Sequence, residues 1–329
     1  GAPGPAGAAA REARGADWRR FAARFVAPDG RVIDTGNNGR SHSEGQGYGM
    51  LLAEAHGDAD AFLRMWRWTR AHLMVRDDAL LAWAWDAATA EIEDRNNATD
   101  GDILVAWALL RGFRRWGEPA WRKAAASILA DVVRLCVVEN GSSRLLLPGV
   151  EGFRREDGVV VNPSYWIFPA FEAFLRFGID GPWSELAGTG EALIEAFAAT
   201  RRGLPPDWCL IGASIGPAPD LSFAFGFDAV RVPLYHRWAA PPERSRRVLR
   251  RIIDYVAERG PGATPARLDL LTGEASAYRL STGGQAVALL VADLAVDAAL
   301  VLPEWRGDED YYSAVLLLLA QLAAEEMPA

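Results

Sequence analysis

Apolar residues recur at three- and four-residue spacing through almost the whole chain, and the strict alternation of half-buried strands is scarce. That period predicts an all-α fold, with helices near residues 17–27, 47–56, 58–75, 100–116, 118–138, 163–177, 183–200, 226–239, 241–259, 283–299 and 308–324. Pro163 and Pro182 suit first turns, Thr99 with Asp102 resembles a capping box, and Gly117, Gly178 and Gly260 are stop signals. Helices separated by alternating short and long connections predict stacked helical hairpins. Two longer segments, near 139–162 and 201–225, contain "SRLLLPG" and "DGVVVNP" and predict short β-hairpins in the connecting loops. No composition break divides the chain, so one domain over 17–329 is expected, behind a Gly/Ala/Pro-rich leader (1–16) expected to be disordered.

Composition narrows the function by exclusion. The formal net charge of −8 argues against a nucleic-acid surface, which calls for a basic patch. The longest apolar stretch, "SAVLLLLAQLAA", falls short of the ~20 residues of a membrane span and runs straight into Glu325 and Glu326, so no membrane insertion is expected. The four histidines form no pair at metal-ligand spacing, so a zinc enzyme is not expected. Cys136 and Cys209 are too few for a disulfide framework in a chain of this length.

Three acidic segments carry the chemistry. In "SHSEGQGYGMLLAEA", Glu44 precedes alternating Gly45, Gly47 and Gly49 at the mouth of a helix. The bland reading is a capping box, Ser41-x-x-Glu44. The other is a carboxyl group on a tight turn, with glycines leaving room for a bulky ligand. In "NNATDGDILVAWALLRGFRRW", Asp100 and Asp102 fall at a helix start, where the helix dipole favours acids. In "FAFGFDAVRVPLY", Asp228 lies among apolar residues three before Arg231, an arrangement that also suits a structural ion pair. Thirteen tryptophans accompany these acids, several outside clean helical faces. Flat aromatic rings beside separate carboxyl groups suit sugar binding and glycoside hydrolysis, which needs one protonated and one ionised carboxyl group.

These segments resemble glycoside hydrolase family 8. "ATDGDILVAWALLRGFRRW" is similar to the family's signature, "RVIDTGNNGRSHSEGQGYGMLLA" to the segment with its general acid, and "NPSY", "FDAVRVPLY" and "DYYSAVLLLL" follow in the family's order. The order "LLPGVEGF", "NPSY", "PPDW", "FDAVRV" looks most like endoglucanases associated with bacterial cellulose synthesis. The resemblance implies an (α/α)6 barrel and an inverting, endo-acting hydrolase of β-1,4-glucosidic bonds that needs no cofactor. Xylan, chitosan or mixed-linkage glucan are the alternative substrates, and a non-catalytic glycan-binding component of a cellulose biosynthesis complex is the alternative of another class. Carried over residue by residue, Glu44 matches the general acid, with its pKa expected to be raised, and Asp228 the general base. Asp100 matches an acid that holds and distorts the sugar, and Arg231 orients Asp228 or a hydroxyl. Trp83, Trp85, Trp166 and Tyr312 are the stacking candidates, and Gln46 joins them as substrate-binding. Phe227 departs from the tyrosine that many relatives carry just before the base. The likeness further implies a β-1,4-glucan chain as binding partner, with the cellulose synthase machinery as a candidate protein partner. A monomer is expected, periplasmic or secreted in a bacterium once an export signal has been removed.

Overall fold

The structure, a computed structural model, describes residues 5–295 and 300–328. Twelve α-helices dominate the described residues: α1 (Pro5–Phe25), α2 (Ser43–Ala55), α3 (Ala59–His72), α4 (Thr99–Trp116), α5 (Pro119–Asp131), α6 (Phe168–Arg176), α7 (Trp183–Ala198), α8 (Arg231–Ala239), α9 (Pro242–Val248), α10 (Arg250–Ala257), α11 (Thr282–Ala292) and α12 (Tyr311–Glu326). Neighbour relations close a ring: α2 packs on α4, α4 on α6, α6 on α8, α8 on α11, α11 on α12, and α12 back on α2. The remaining six flank that ring, with α1 against α12, α3 against α2, α5 against α4, α7 against α6, α9 against α8 and α10 against α11. This is the (α/α)6 barrel that the resemblance implies, made of the helical hairpins that the periodicity predicts.

The inner helices explain why a polar/apolar period alone is insufficient to place them. From Thr99 to Gly112, every residue of α4 is buried, and α8 is buried from end to end. A helix surrounded by others loses its polar face. Such close quarters call for small residues. A Cβ on Gly47 would lie 2.5 Å from that of Leu104, and one on Gly101 would collide with Ser43. The glycines of α2 therefore admit neighbouring helices rather than a ligand: Gly45 faces Tyr311 and His42, and Gly49 faces Met65 and Val32. This corrects the expectation that they make room for a sugar.

Several helix boundaries also differ from expectation. Helix α1 starts at Pro5, inside the stretch expected as a disordered leader, and Arg14 pairs with Glu325. The Ala, Arg and Glu content of that stretch favours helix, which outweighs its glycines. The segment expected as one helix over 241–259 breaks at Leu249 into α9 and α10. Of the helix expected over 283–299, residues 296–299 lie outside the described residues. Helix α8 begins at Arg231 instead of residue 226, which leaves Asp228 on the turn before it.

The short hairpins are present, and they combine. β3 (Val137–Asn140) pairs with β4 (Ser143–Leu146) as one hairpin. The two long connections then share a four-stranded antiparallel sheet of β5 (Arg154–Arg155), β6 (Gly158–Val161), β7 (Cys209–Ile211) and β8 (Ile215–Gly216). Val161 is opposite Cys209, so the register brings Asn162 beside Trp208 at the end of that sheet. Earlier, β1 (Ser41–His42) pairs with β2 (Ala84–Trp85), and β9 (Ala224–Phe225) with β10 (Leu268–Asp269).

Candidate active site

The N-terminal ends of inner helices converge on one cluster of charge. Glu44 is in the first turn of α2, Asp100 in the first turn of α4, and Arg231 opens α8. Helix N-termini carry partial positive charge, which favours the carboxylates gathered there. Arg231, only 2% exposed, is the centre. One of its terminal nitrogens, Nη1, pairs with Glu44 and lies 3.6 Å from Asp100, while Nη2 donates to Asp228 at 2.7 Å. The expected Asp228–Arg231 ion pair thus exists, but the same guanidinium also serves the other two acids. Three carboxyl groups share one cation, so the cluster as a whole is short of positive charge.

That imbalance and burial act on protonation. Burial pushes the Asp100 carboxyl up to about 7, against the Gly101 N–H, the charge of His42 and the Tyr165 hydroxyl, which favour its ionised form. Burial, with the negative charges of Asp207 and Asp100, pushes Asp228 up to about 8, while Asn162 and Trp208 facing it act the other way. A third of the Asp228 side chain remains open to solvent, which moderates its rise. Glu44 keeps 18% of its side chain open. Burial and mutual repulsion thus oppose full ionisation of the cluster near neutral pH, so a proton can be held within it, as general acid–base chemistry requires.

Local structure explains how each group is presented. Helix α2 is capped by His42, whose Nδ1 accepts the Gly45 N–H at 3.0 Å and whose Nε2 faces Asp34 at 3.2 Å. Ser41 instead donates to the Val32 carbonyl at 2.6 Å, so the Ser41-x-x-Glu44 capping box does not form. The "NPSY" segment is a second support. Asn162 Oδ1 accepts from the Ser164 N–H and hydroxyl, Ser164 Oγ accepts from Arg231 at 2.9 Å, and Tyr165 faces Asp100. Tyr48 accepts from Arg231 at 3.2 Å and shares a 2.7 Å hydrogen bond with Tyr235, closing the floor.

The aromatic candidates divide. The β1–β2 pairing places Trp83 and Trp85 alongside the strand leading into α2, and the Ser43 N–H donates to the Trp83 carbonyl at 2.9 Å. Both are half-buried, with Arg40 over Trp83 and Arg31 over Trp85. Tyr312 lies at the cluster and donates its hydroxyl to the Phe227 carbonyl at 2.5 Å, so it fastens the Asp228 turn. Trp166 is no platform: it is 1% exposed and its indole donates to the Leu186 carbonyl within the core. Gln46 is 0% exposed and belongs to the frame, accepting from the Val32 N–H and donating to Gly30, Met65 and Thr69. A glutamine two residues beyond an acid turns to another face of the helix, which explains that miss.

Asp207, Trp208, Asn162 and Tyr165 escaped assignment, although "NPSY" and "PPDW" mark them in the sequence. Trp208 stacks on Phe153 with centroids 5.9 Å apart and meets Tyr165 edge-on. Phe227 adds an aromatic ring at the mouth, 54% exposed.

Comparison with known proteins places the chain among relatives of one kind. The model of the family described as glycosyl hydrolases family 8 matches residues 6–326. A protein named probable endoglucanase from Novacetimonas hansenii is 38% identical over 319 residues, covering 94% of this chain and 90% of that one. The solved endo-beta-1,4-glucanase from Acetobacter xylinum superposes with a TM-score of 0.87 at 38% identity, over 96% of this chain and 99% of that one. The solved family 8 endoglucanase from Klebsiella pneumoniae gives 0.88 at 36% identity, over 94% and 99%.

Proposed function

The chain belongs to glycosyl hydrolase family 8, and from that membership we propose that the acid cluster around Arg231 hydrolyses β-1,4-glucosidic bonds within glucan chains, with inversion at the anomeric carbon. The observation that carries this reading is the gathering of Glu44, Asp100 and Asp228 on a single buried guanidinium. Glu44 donates its proton to the glycosidic oxygen as the C–O bond breaks. Asp228, across the cluster on its turn, takes a proton from the water that attacks C1 from the opposite face. Asp100 accepts hydrogen bonds from the sugar between them and favours the distorted ring of the transition state. Arg231 holds all three in register and compensates part of their charge.

The surrounding features support the same substrate class. Half-buried Trp83 and Trp85 beside Glu44, and exposed Phe227 beside Asp228, offer ring faces on both sides of the acids. Phe227 lacks the hydroxyl of the tyrosine that many members of the family have at this place, so its side chain offers no hydrogen bond to the attacking water. The chain from α1 to α12 acts as one catalytic domain and as a monomer, exported to the periplasm or beyond, with the cellulose synthase machinery as a candidate partner. Among the described residues no helix is long and apolar enough to cross a membrane. The deciding experiment assays reducing ends released from a panel of soluble β-glycans. Cellulose derivatives should be cut internally and fastest. Preference for xylan or chitosan, or binding without release, would overturn the substrate or the activity respectively.

A further inference from the structure

The "PPDW" segment has no part in the chemistry described so far, yet its aspartate is buried directly behind the Asp228 turn. We propose that Asp207 is a positioning residue for hydrolysis, its carboxylate fixing the backbone turn that presents Asp228 to the attacking water. The inference rests on the reading of Asp228 as the base.

The geometry is specific. Asp207 is 5% exposed. Its Oδ1 accepts the N–H of Asp228 at 3.0 Å and of Ala229 at 2.9 Å, and its Oδ2 accepts the Ser222 hydroxyl at 2.8 Å. The Gly226 N–H also faces the carboxylate. A side chain at 226 would block this arrangement, since a Cβ there would sit 2.7 Å from Oδ2. The Asp207 N–H donates to the Ala224 carbonyl and that of Trp208 to the Ser222 carbonyl, so the anchor is itself anchored. The hydrogen bonds from Asp228 and Ala229 occupy the N–H groups just before α8, and they hold Asp228 on a fixed turn outside that helix. A carboxylate gripping two consecutive N–H groups fixes both the position and the direction of the residue they belong to.

Asp207 also acts on Asp228 through charge. Its negative charge is the first after burial among the causes that raise the Asp228 carboxyl. The other groups facing Asp228 are Arg231 on α8, Asp100 on α4, Tyr165 of the "NPSY" segment, Asn162 and Trp208 at the sheet end, and Tyr312 of α12, which also donates to the Phe227 carbonyl. Removing the charge at 207 while leaving these in place should make Asp228 easier to ionise.

Asp207→Asn tests this: with the amide oxygen on Asp228 and Ala229, an NH2 replaces the oxygen that accepts the Ser222 hydroxyl, so the charge is lost and the anchor loosened. The expected result is a folded enzyme whose kcat falls about tenfold or more. The acid limb of kcat/KM, which reports the base in the free enzyme, should move to lower pH by about one unit, the size a neighbouring charge imposes. KM should change little. Ser222→Ala, which removes one donor and favours protonation of Asp207, should shift the limb in the same direction by less; it decides the matter if Asp207→Asn does not fold. Unchanged kcat and pH profile in either folded variant would overturn the proposal. Asp228→Ala run in parallel separates the two levels. Its inactivity with a normal Asp207→Asn sinks only the positioning role, whereas an active Asp228→Ala sinks the base assignment itself.

Discussion

One arginine among three acids sets the terms at the scale of the residue. Because Arg231 contacts Glu44 and Asp228 through different nitrogens, replacing Glu44 by glutamine should leave the guanidinium seated on the other two acids. Only proton donation is lost. Turnover of Glu44→Gln should fall by at least the ~10²–10⁴-fold typical of general acid catalysis, with thermal unfolding nearly unchanged. A reducing-end assay with a near-normal rate would reassign the acid. Asp102, two residues beyond Asp100, behaves differently. It is 0% exposed and accepts from the Leu81 N–H and the Asn97 amide, each at 2.8 Å, which ties the loop before α4 to the helix. Burial pushes its carboxyl up to about 8 from 3.8. The folded protein therefore keeps this proton across a range where the unfolded chain loses it. That contribution to stability is complete below the unfolded value and is lost as pH rises toward the folded one. In Asp102→Asn an amide meets the Asn97 amide and stability should drop by about 1–3 kcal/mol at pH 5. The gap from the parent should narrow at pH 8, because the substitution removes the titration. Calorimetric Tm values at the two pH values check this, and parallel slopes would refute it. The sequence made the acids visible because a motif surrounds each of them. It could not make their depth visible. Trp166 and Gln46 are residue types that bind sugars on a surface and support a core when buried, and only packing separates the two uses.

The helices themselves were legible as elements, since the 3.6-residue period survives in the outer ring and the Pro and Gly punctuation marks most ends. Inner helices strain that logic. In α2 a run of glycines looked like a ligand turn and is instead the packing face against α4, α12 and α3. The turn before α8 was not legible as such, because the group its N–H donors meet is Asp207, 21 residues away from Asp228, and no local propensity encodes such a partner. The close approach of α2 and α4 is testable. A Cβ at 101 would strike Ser43 and lie 2.8 Å from the Glu44 N–H nitrogen, so Gly101→Ala should push the two acids apart. Overpacking of this kind typically costs about 1–3 kcal/mol, and kcat should fall as well, since Glu44 is displaced. Gly188 in α7 has nothing within 4 Å of its would-be Cβ. Gly188→Ala should be neutral or stabilise by up to about 1 kcal/mol through helix propensity. Equal Tm values for the two variants would contradict the packing account of the glycines.

The whole molecule separates rigidity from chemistry along the barrel axis. At the C-terminal ends of α2, α4 and α12, Arg111 is bound by Glu54 at 2.5 Å and bidentately by Glu326 at 2.9 and 2.7 Å. This buried network ties three inner helices at the end remote from the acids, and a partner missing from such a network leaves an unpaired buried charge. The opposite end keeps Glu44 and Asp228 partly open and carries exposed Phe227. Inner helices fixed at one end can thus present their N-termini at constant spacing around an open mouth. That spacing determines stereochemistry. An inverting enzyme fits a water between its base and the anomeric carbon, so its carboxyl groups stand farther apart than those of a retaining pair, which form a covalent intermediate directly. Here the acid lies on α2 and the base on the turn before α8, each on a different nitrogen of Arg231, in a chain whose family is inverting. Cleavage of a soluble β-1,4-glucan should therefore release the α-anomer first, with the β-anomer appearing only by mutarotation. Proton NMR of the anomeric region during the first minutes of reaction distinguishes the two. An initial β-anomer would mean that one of these carboxylates attacks carbon itself, and the water-activating role of Asp228, together with the positioning role of Asp207 built on it, would have to be abandoned.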